Sequence, residues 1–329
     1  MNNINMVDWK NSEVLITGGT GTLGKALTKK LLTDYKPKGL RLFSRDEYKQ
    51  WVFKNELDLG GYKDAPVAFL LGDMRDSDRI DRATQGVDII FHTAAMKQIP
   101  SCEDHPQEAI KTNIMGAINL IEAAINNDVN VMMNVSTDKA AYPINLYGMT
   151  KGVAEKVFLH GNIYSGGRLR SSCCRYGNVL NSRGSVIPLF KEQYKKDGKI
   201  TITHKDMTRF FIRIEDVVQF IIRNIERTTG NEVFIPKMRS AFIQDIAELI
   251  APKEDIIDVG IRKGEKLHEC LLTIEESKCV EDYAGMYVLS STKKEKSIDE
   301  ITMGYYSNDN SYWWSKEKLQ KIINENYFV

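Results

Sequence analysis

Short apolar runs alternate with longer amphipathic stretches through the first half of the chain. Val14 to Thr17, Leu40 to Phe43, Val67 to Leu71, Asp88 to His92 and Val131 to Val135 each read as a strand that is apolar on both faces. Between them, Leu23 to Leu32, the charged stretch Asp46 to Leu57 and above all Asn113 to Ile125 carry apolar residues at helical spacing. Buried strands alternating with helices predict an α/β fold, a Rossmann-type doubly wound parallel sheet covered on both faces. After Arg175 the rhythm loosens: Gly184 to Gln193, Ile200 to His204, Ile214 to Ile225 and Val233 to Ile235 read as mixed elements. From about Ala241 the chain reads as short helices and turns, a smaller C-terminal lobe folded over the first. Ser290 to Glu300, rich in Lys, Ser and Thr, reads as a loop or a weakly ordered lid.

A chain of 329 residues can bury a large core and carry two lobes on one sheet. The net charge of +1 gives no electrostatic reason to expect nucleic acid or an acidic membrane surface as partner. No apolar run is long enough to cross a bilayer, and Met1 to Ser12 lacks the apolar stretch of a signal peptide, so a cytoplasmic protein is expected. The cysteines show no metal-ligand spacing, no metal is expected, and the adjacent Cys173-Cys174 pair reads as apolar filler in a strand.

Thr17-Gly18-Gly19-Thr20-Gly21-Thr22-Leu23-Gly24 joins the first strand to the first helix. Gly19, Gly21 and Gly24 satisfy G-x-G-x-x-G, and Gly18 extends the pattern. Such glycines permit a tight turn and let the backbone approach a pyrophosphate resting on the helix N-terminus, so a dinucleotide is expected. An acidic residue at the end of the second strand would bind the ribose hydroxyl of NAD. Here Ser44 and Arg45 stand there, with Asp46 and Lys49 just behind. A guanidinium suits a 2′-phosphate, so NADP is expected; the alternative is a solvated charge cluster at a helix start. Asp73 ends the third strand, either to hold the adenine edge or to cap the next helix.

The most informative segment is Ser136-Thr137-Asp138-Lys139-Ala140 followed by Tyr147-Gly148-Met149-Thr150-Lys151. Positions i and i+4 share a helix face, so Tyr147 and Lys151 can enter one pocket. A nearby ammonium favours phenolate, and Tyr147 is expected to titrate below its ordinary value of about 10. Asp138 and Lys139 follow a buried strand, at the end where open α/β sheets bind ligands. The bland reading of that pair is a surface ion pair contributing less than about 1 kcal/mol. His92 ends a strand and reads as structural.

These residues together resemble the extended short-chain dehydrogenase/reductases, and more closely the inverting UDP-N-acetylglucosamine 4,6-dehydratases that open pseudaminic acid biosynthesis. The resemblance runs from about residue 13 to 289 and rests on Phe43 to Glu47, Ala94 to Pro100, Ile110 to Gly116, Ser136 to Ala140, Pro143 to Gly148, Arg175 to Val179, Ser182 to Pro188, Met207 to Phe210 and Gly264 to Glu269. Retaining dehydratases carry Thr-Asp-Glu where Thr137-Asp138-Lys139 stands, and a related capsule-sugar group lacks the tyrosine. Departures are Lys263 in place of a proline, Met96 in place of leucine, and a tail beyond Ser290 that matches poorly.

The resemblance implies a catalytic set of Thr137, Asp138, Lys139, Tyr147 and Lys151. Tyr147 would assist deprotonation of the C4 hydroxyl, Lys151 would hold the nicotinamide ribose, and Thr137 would bond the same oxygen. Asp138, kept protonated, would give its proton to the departing C6 hydroxyl. Lys139, as a neutral amine, would remove the C5 proton. Gly18, Gly21, Thr22, Leu23, Gly24, Ser44, Arg45, Asp46, Lys49, Asp73, Met74, Ala94, Ala95 and Lys151 would hold a tightly bound NADP that is regenerated each turnover. Lys97, Asn178, Arg209, Arg262 and Glu265 would hold the UDP-sugar; Arg183, Lys205 and His268 are further candidates that read more readily as solvated or packed side chains. A homo-oligomer is expected. The implied division places an NADP-binding Rossmann domain at 12–178, a substrate-lobe segment at 179–211, a return to the Rossmann domain at 212–235, and the substrate-binding lobe with the tail at 236–329. The rival readings are a UDP-sugar 4-epimerase or reductase on the same scaffold, and a non-catalytic NADP-binding sensor. Asp138-Lys139 speaks against the first, and the intact Tyr147 and Lys151 against the second.

Overall fold

The computed structural model describes residues 7–182, 184–283, 285–290 and 304–325. In chain order the first strands are β1 (Glu13–Thr17), β2 (Gly39–Ser44), β3 (Val67–Leu71), β4 (Ile89–His92), β5 (Val131–Thr137) and β6 (Arg170–Tyr176). They are followed by β7 (Asn178–Val179), β8 (Ile200–Ile202), β9 (Thr208–Ile212), β10 (Glu232–Pro236) and β11 (Arg239–Phe242). The last are β12 (Ile256–Asp258), β13 (Cys270–Leu272), β14 (Val280–Tyr283), β15 (Met286–Ser290) and β16 (Tyr305–Tyr306).

Nine strands form one sheet in the order β14-β15-β10-β6-β5-β4-β1-β2-β3. From β10 to β3 the pairings are parallel, the doubly wound arrangement in which strand order reverses beside β1. The register brings the C-terminal ends together: Thr17 pairs with Phe43 and His92, and Thr137 with Tyr176. Those ends therefore form one rim, and every candidate catalytic group sits on it or on the helix packed behind it. Central strands are buried almost throughout because helices cover both faces, while β3, at the edge, is only partly buried.

A second, smaller core gathers Leu180, Ile187, Phe190, Ile202, Phe211, Ile246 and Leu319 around the minor sheets β11-β9-β7 and β12-β8. The short-helix-and-turn reading beyond Ala241 missed a hairpin. Strands β14 and β15 return to the main sheet and extend it antiparallel beyond β10. Strand β6 was flagged only by its cysteine pair, because Arg170-Ser171-Ser172 hides its burial. Ser172 is accommodated there by donating to Glu232 Oε2 at 2.7 Å. The helix read over Asn113 to Ile125 is a wide turn, Lys111–Met115, leading into an α-helix at Gly116–Asn126. The lid reading of Ser290 to Glu300 lies outside the described residues beyond Ser290, as does Arg183. No described helix is long and apolar enough to cross a membrane.

Candidate active site

The rim opens at the glycine loop. Gly18 takes φ +70°, and a Cβ there would stand 2.8 Å from the Ala94 nitrogen; one on Gly24 would stand 2.6 Å from the Gly18 carbonyl oxygen. The loop is thus as bare as a backbone can be where β1, Ala94 and the helix Thr22–Lys30 meet. That helix starts at Gly21 with no side-chain cap, so its first-turn N–H groups stay open to an anion. A bare cradle at an uncapped helix start fits the pyrophosphate of a dinucleotide.

At the end of β2, Asp46 caps the helix Glu47–Leu57 by accepting from the Lys49 backbone N–H at 3.0 Å, and Lys49 Nζ lies 2.7 Å from its other oxygen. Those two neutralise each other, whereas exposed Arg45 makes no hydrogen bond among the described residues. Ser44 is fixed by Gln50, whose amide donates to Ser44 Oγ at 2.9 Å. Asp73 does not cap the following helix: Asp76 does, accepting from the Arg79 backbone N–H at 3.0 Å. Asp73 instead holds Arg75 at 2.7 Å, which keeps its carboxyl below the usual range. Met74 is buried beneath Gly116, and Ala95 is exposed beside Ala94.

The chemistry-bearing residues lie where β5 ends. Thr137 closes the strand and Asp138 to Ala140 make one tight turn. The helix Leu146–Tyr164 then packs against that turn. Asn145 caps it by accepting from the Gly148 N–H at 2.8 Å, and Glu103 accepts from the Leu146 N–H at 2.7 Å. Gly148 is indispensable to the packing, since a Cβ there would lie 2.2 Å from the Lys139 carbonyl oxygen. Two elements adjacent in sequence are thereby locked with Tyr147 facing Thr137 to Lys139, while the buried Lys151 reaches back to β5, its Nζ 3.5 Å from Asn134 Oδ1. Asn113, in the wide turn, accepts from the Met96 N–H and donates to Met96 O, both at 2.8 Å, and donates to Thr150 Oγ1 at 3.0 Å. It ties the loop after β4 to the same helix.

Thr137 Oγ1 donates to Asp138 Oδ1 at 2.9 Å, and Lys139 Nζ donates to the same oxygen at 3.0 Å. Asp138 is fully buried, and its Oδ2 has no hydrogen-bond partner. Burial raises its pKa, opposed by the Lys139 ammonium and reinforced by Glu269. This is the direction an acid requires. Two expectations from the sequence are overturned. Burial pushes the Tyr147 phenol up to about 12, against the pull of Lys139 and of the Thr137 hydroxyl that bonds it. The Lys151 ammonium is itself depressed to about 8 by burial and sits beside Asn134, and the cation that acts on the phenol is Lys139. Lys139 is not a neutral amine either: burial works against its charge, yet the carboxylates of Asp138 and Glu269 outweigh burial and hold it above the ordinary lysine range. His92 is structural, bonded to Thr17 Oγ1 at 2.7 Å and held neutral, near 3, by burial.

Glu269 was missed by the sequence reading. It is buried, with Oε1 3.3 Å from Lys139 Nζ and 3.8 Å from Arg209 Nε, and Oε2 3.7 Å from Lys266 Nζ. Arg209, expected to meet the substrate, donates to the backbone carbonyls of Thr208, Lys266 and Leu267 at 2.7–3.0 Å. Glu265 faces it at 3.6 Å, and the Glu265 carboxylate accepts from the Arg262 N–H at 3.4 Å. Arg262 and Lys97 are exposed, and Asn178 is half-buried in β7. A second missed group is the buried Arg175, bidentate to Glu155 (2.9 and 2.6 Å) and to Glu276 (2.8 and 2.8 Å). It also donates to Leu271 O at 3.1 Å, clamping the segment that carries Glu269 onto the helix that carries Lys151. No spacing rule finds it, because its three residues are far apart in the chain.

Residues 14–291 match the polysaccharide biosynthesis protein family. The chain belongs to that family. It is 41% identical over 334 residues to the inverting UDP-N-acetylglucosamine 4,6-dehydratase of Campylobacter jejuni, covering 96% of this chain and 98% of that one. It is 40% identical over 282 residues to a UDP-glucose 4-epimerase of Rickettsia felis, covering 83% and 81%. The solved structure of Pen from Bacillus thuringiensis superposes with a TM-score of 0.88 at 35% identity, covering 96% of this chain and 99% of that one. Family members of similar identity thus carry two different activities, and the site has to decide between them.

Proposed function

We propose that the protein is an inverting UDP-N-acetylglucosamine 4,6-dehydratase, a hydro-lyase that gives the L-arabino 4-keto-6-deoxy sugar nucleotide for surface-glycan synthesis. The observation that carries the reading is the buried Asp138–Lys139 pair facing Tyr147. An epimerase needs the tyrosine, the lysine and a nicotinamide, but no acid and amine aimed at C5 and C6. The near full-length likeness to the C. jejuni dehydratase supports the same choice.

NADP is the proposed cofactor, held by Gly18, Gly21, Thr22, Leu23 and Gly24 at the pyrophosphate, Ser44 and Arg45 at the 2′-phosphate, Asp73 and Met74 near the adenine, Ala94 and Ala95 along the rim, and Lys151 at the nicotinamide ribose. Arg45, exposed and without a hydrogen bond, is the side chain available for that phosphate. When bound, the nicotinamide stores the hydride taken from C4 and returned at C6. Tyr147 takes the C4 hydroxyl proton. Burial keeps the phenol neutral, so it must lose its own proton as ligands bind before it can take the one from C4. The C4 ketone acidifies C5–H, Lys139, an ammonium at rest, receives that proton only as it gives up one of its own, and Asp138 protonates the C6 hydroxyl through its free Oδ2. Lys97, Asn178, Arg262 and Glu265 are proposed contacts of the UDP group. Arg209 is proposed to orient the Lys266–Leu267 backbone alongside them.

Incubation with UDP-N-acetylglucosamine and NMR of the product tests the reading. A 4-ketone with a C6 methyl group and inverted C5 is expected. Recovery of the substrate's C4 epimer instead would replace it with the epimerase reading.

A further inference from the structure

Resting on the dehydratase reading, the geometry points to Glu269 as the proton acceptor that works through Lys139, its carboxylate taking a proton from Nζ as Nζ takes one from C5. Three features of the site carry this. Lys139 is held between two buried carboxyl groups, Asp138 Oδ1 at 3.0 Å and Glu269 Oε1 at 3.3 Å. An ammonium so placed has no lone pair, and can receive a proton only by giving one away at the same time. Of its two neighbours, Asp138 is the acid for the C6 hydroxyl, with its unpartnered Oδ2 as the place for the proton it donates. Glu269 remains as the acceptor, and its Oε2 likewise has no hydrogen-bond partner although the residue is only 2% exposed.

Its surroundings suit a carboxylate that must be ionised at rest and stay fixed. Burial opposes its charge, but Lys139, Arg209 and Lys266 together hold its pKa below the usual carboxylate range. Across Lys139 stands Asp138, on which Glu269 acts in the opposite sense. The Glu269 backbone is pinned on both sides: its N–H donates to Ser307 Oγ at 2.9 Å and its carbonyl accepts from the Ser307 N–H at 2.9 Å. In the step, the C5–H bond breaks and its electron pair enters the C4 ketone as an enolate. The C5 proton joins Nζ, and an Nζ proton passes to Glu269 Oε1. Asp138 then gives its proton to the C6 hydroxyl, which leaves as water. Glu269 gains one proton and Asp138 loses one, so the protein's total is unchanged.

The inference also explains how a lysine serves where relatives use a glutamate in Thr-Asp-Glu. The carboxylate is still present, but it arrives from the C-terminal segment and acts one atom removed. Glu269→Gln keeps size and hydrogen bonding and removes the acceptor. It should lower dehydration about 100-fold or more. It should also abolish solvent-deuterium entry at C5, yet leave the appearance of reduced nicotinamide on adding substrate. The unmodified protein should lose activity as pH falls through the Glu269 pKa. In Glu269→Gln that acid limb should vanish, residual rate rising with pH as Lys139 itself deprotonates, and Glu269→Asp should restore part of the rate. Carbon-13 NMR of ε-labelled lysine should show the Lys139 titration falling in Glu269→Gln. Unchanged C5 exchange and an unchanged acid limb, or an unmoved Lys139 titration, overturn the inference while leaving the dehydratase reading intact. Absence of dehydration by the unmodified protein overturns both.

Discussion

Replacing Gly148 by alanine adds one methyl group where the structure has no room for it. The new Cβ would sit 2.2 Å from the Lys139 carbonyl oxygen and 3.1 Å from Pro143 Cβ. Ordinary van der Waals contact begins near 3.4 Å, so helix and turn must separate by roughly 1 Å. Overpacking of this kind costs about 1–3 kcal/mol, partly offset by about 1 kcal/mol from alanine's better helix propensity. The kinetic effect is expected to be larger than the net effect on stability. The separation moves Lys139 and Asp138 away from Tyr147, and a misplacement of about 1 Å costs on the order of 100-fold in rate. The control lies one turn along the same helix: a Cβ on Gly152 would meet Ala140 O at an ordinary 3.5 Å. Gly152→Ala should be stabilising by about 0.5–1 kcal/mol with turnover unchanged. Denaturant unfolding and steady-state turnover of both variants make the comparison. A Gly148→Ala protein with turnover within a few-fold of the original would refute the claim that this close approach sets the catalytic geometry.

Lys151→Met should stabilise the cofactor-free protein while abolishing turnover. The folded pKa of about 8 is depressed from 10.5, so the lysine's favourable contribution is present above 10.5 and lost as pH falls through 8. Below pH 8 the buried ammonium then costs up to about 3 kcal/mol. Unfolding of both proteins at pH 7 and pH 10 should show the gain shrinking with rising pH; a constant gain would contradict it. Arg175→Met strands the buried Glu155 carboxylate and the partly buried Glu276 one and should destabilise by about 3–5 kcal/mol, read by denaturant melts; a loss below 1 kcal/mol would deny the clamp its role. Arg45→Asp should weaken NADP at least tenfold and leave NAD little changed in fluorescence titrations, and equal affinity of the unmodified protein for both would discard the NADP assignment.

Much of the fold was legible because burial leaves a local mark. Val14 to Ile16 and Ile89 to Phe91 are unbroken apolar runs and buried throughout, and the glycine loop announces the first crossover by spacing alone. Where partners lie far apart in sequence the signal fails. The β14–β15 hairpin joins the sheet by pairing with β10, a choice its own residues do not encode, and β6 hides its burial behind Ser171 and Ser172, the latter bonded to Glu232 and Thr228. The site divides in the same way. Asp138, Lys139, Tyr147 and Lys151 fall within one short stretch and could be grouped by spacing. Their charge states could not, because these depend on depth and on Glu269, which arrives from a segment far along the chain. Tyr147 and Lys139 were both assigned the wrong direction for that reason.

The central claim, that Asp138 and Lys139 remove water across C5 and C6, is tested most directly by one mass spectrum. UDP-N-acetylglucosamine is incubated with the NADP-loaded protein in deuterium oxide, and the sugar nucleotide is recovered. The account predicts a product that has lost one water and gained one deuterium at C5. It also predicts that Lys139→Ala gives neither change. A product of unaltered elemental composition with no deuterium at C5 would contradict the account and leave the protein an epimerase on the same scaffold.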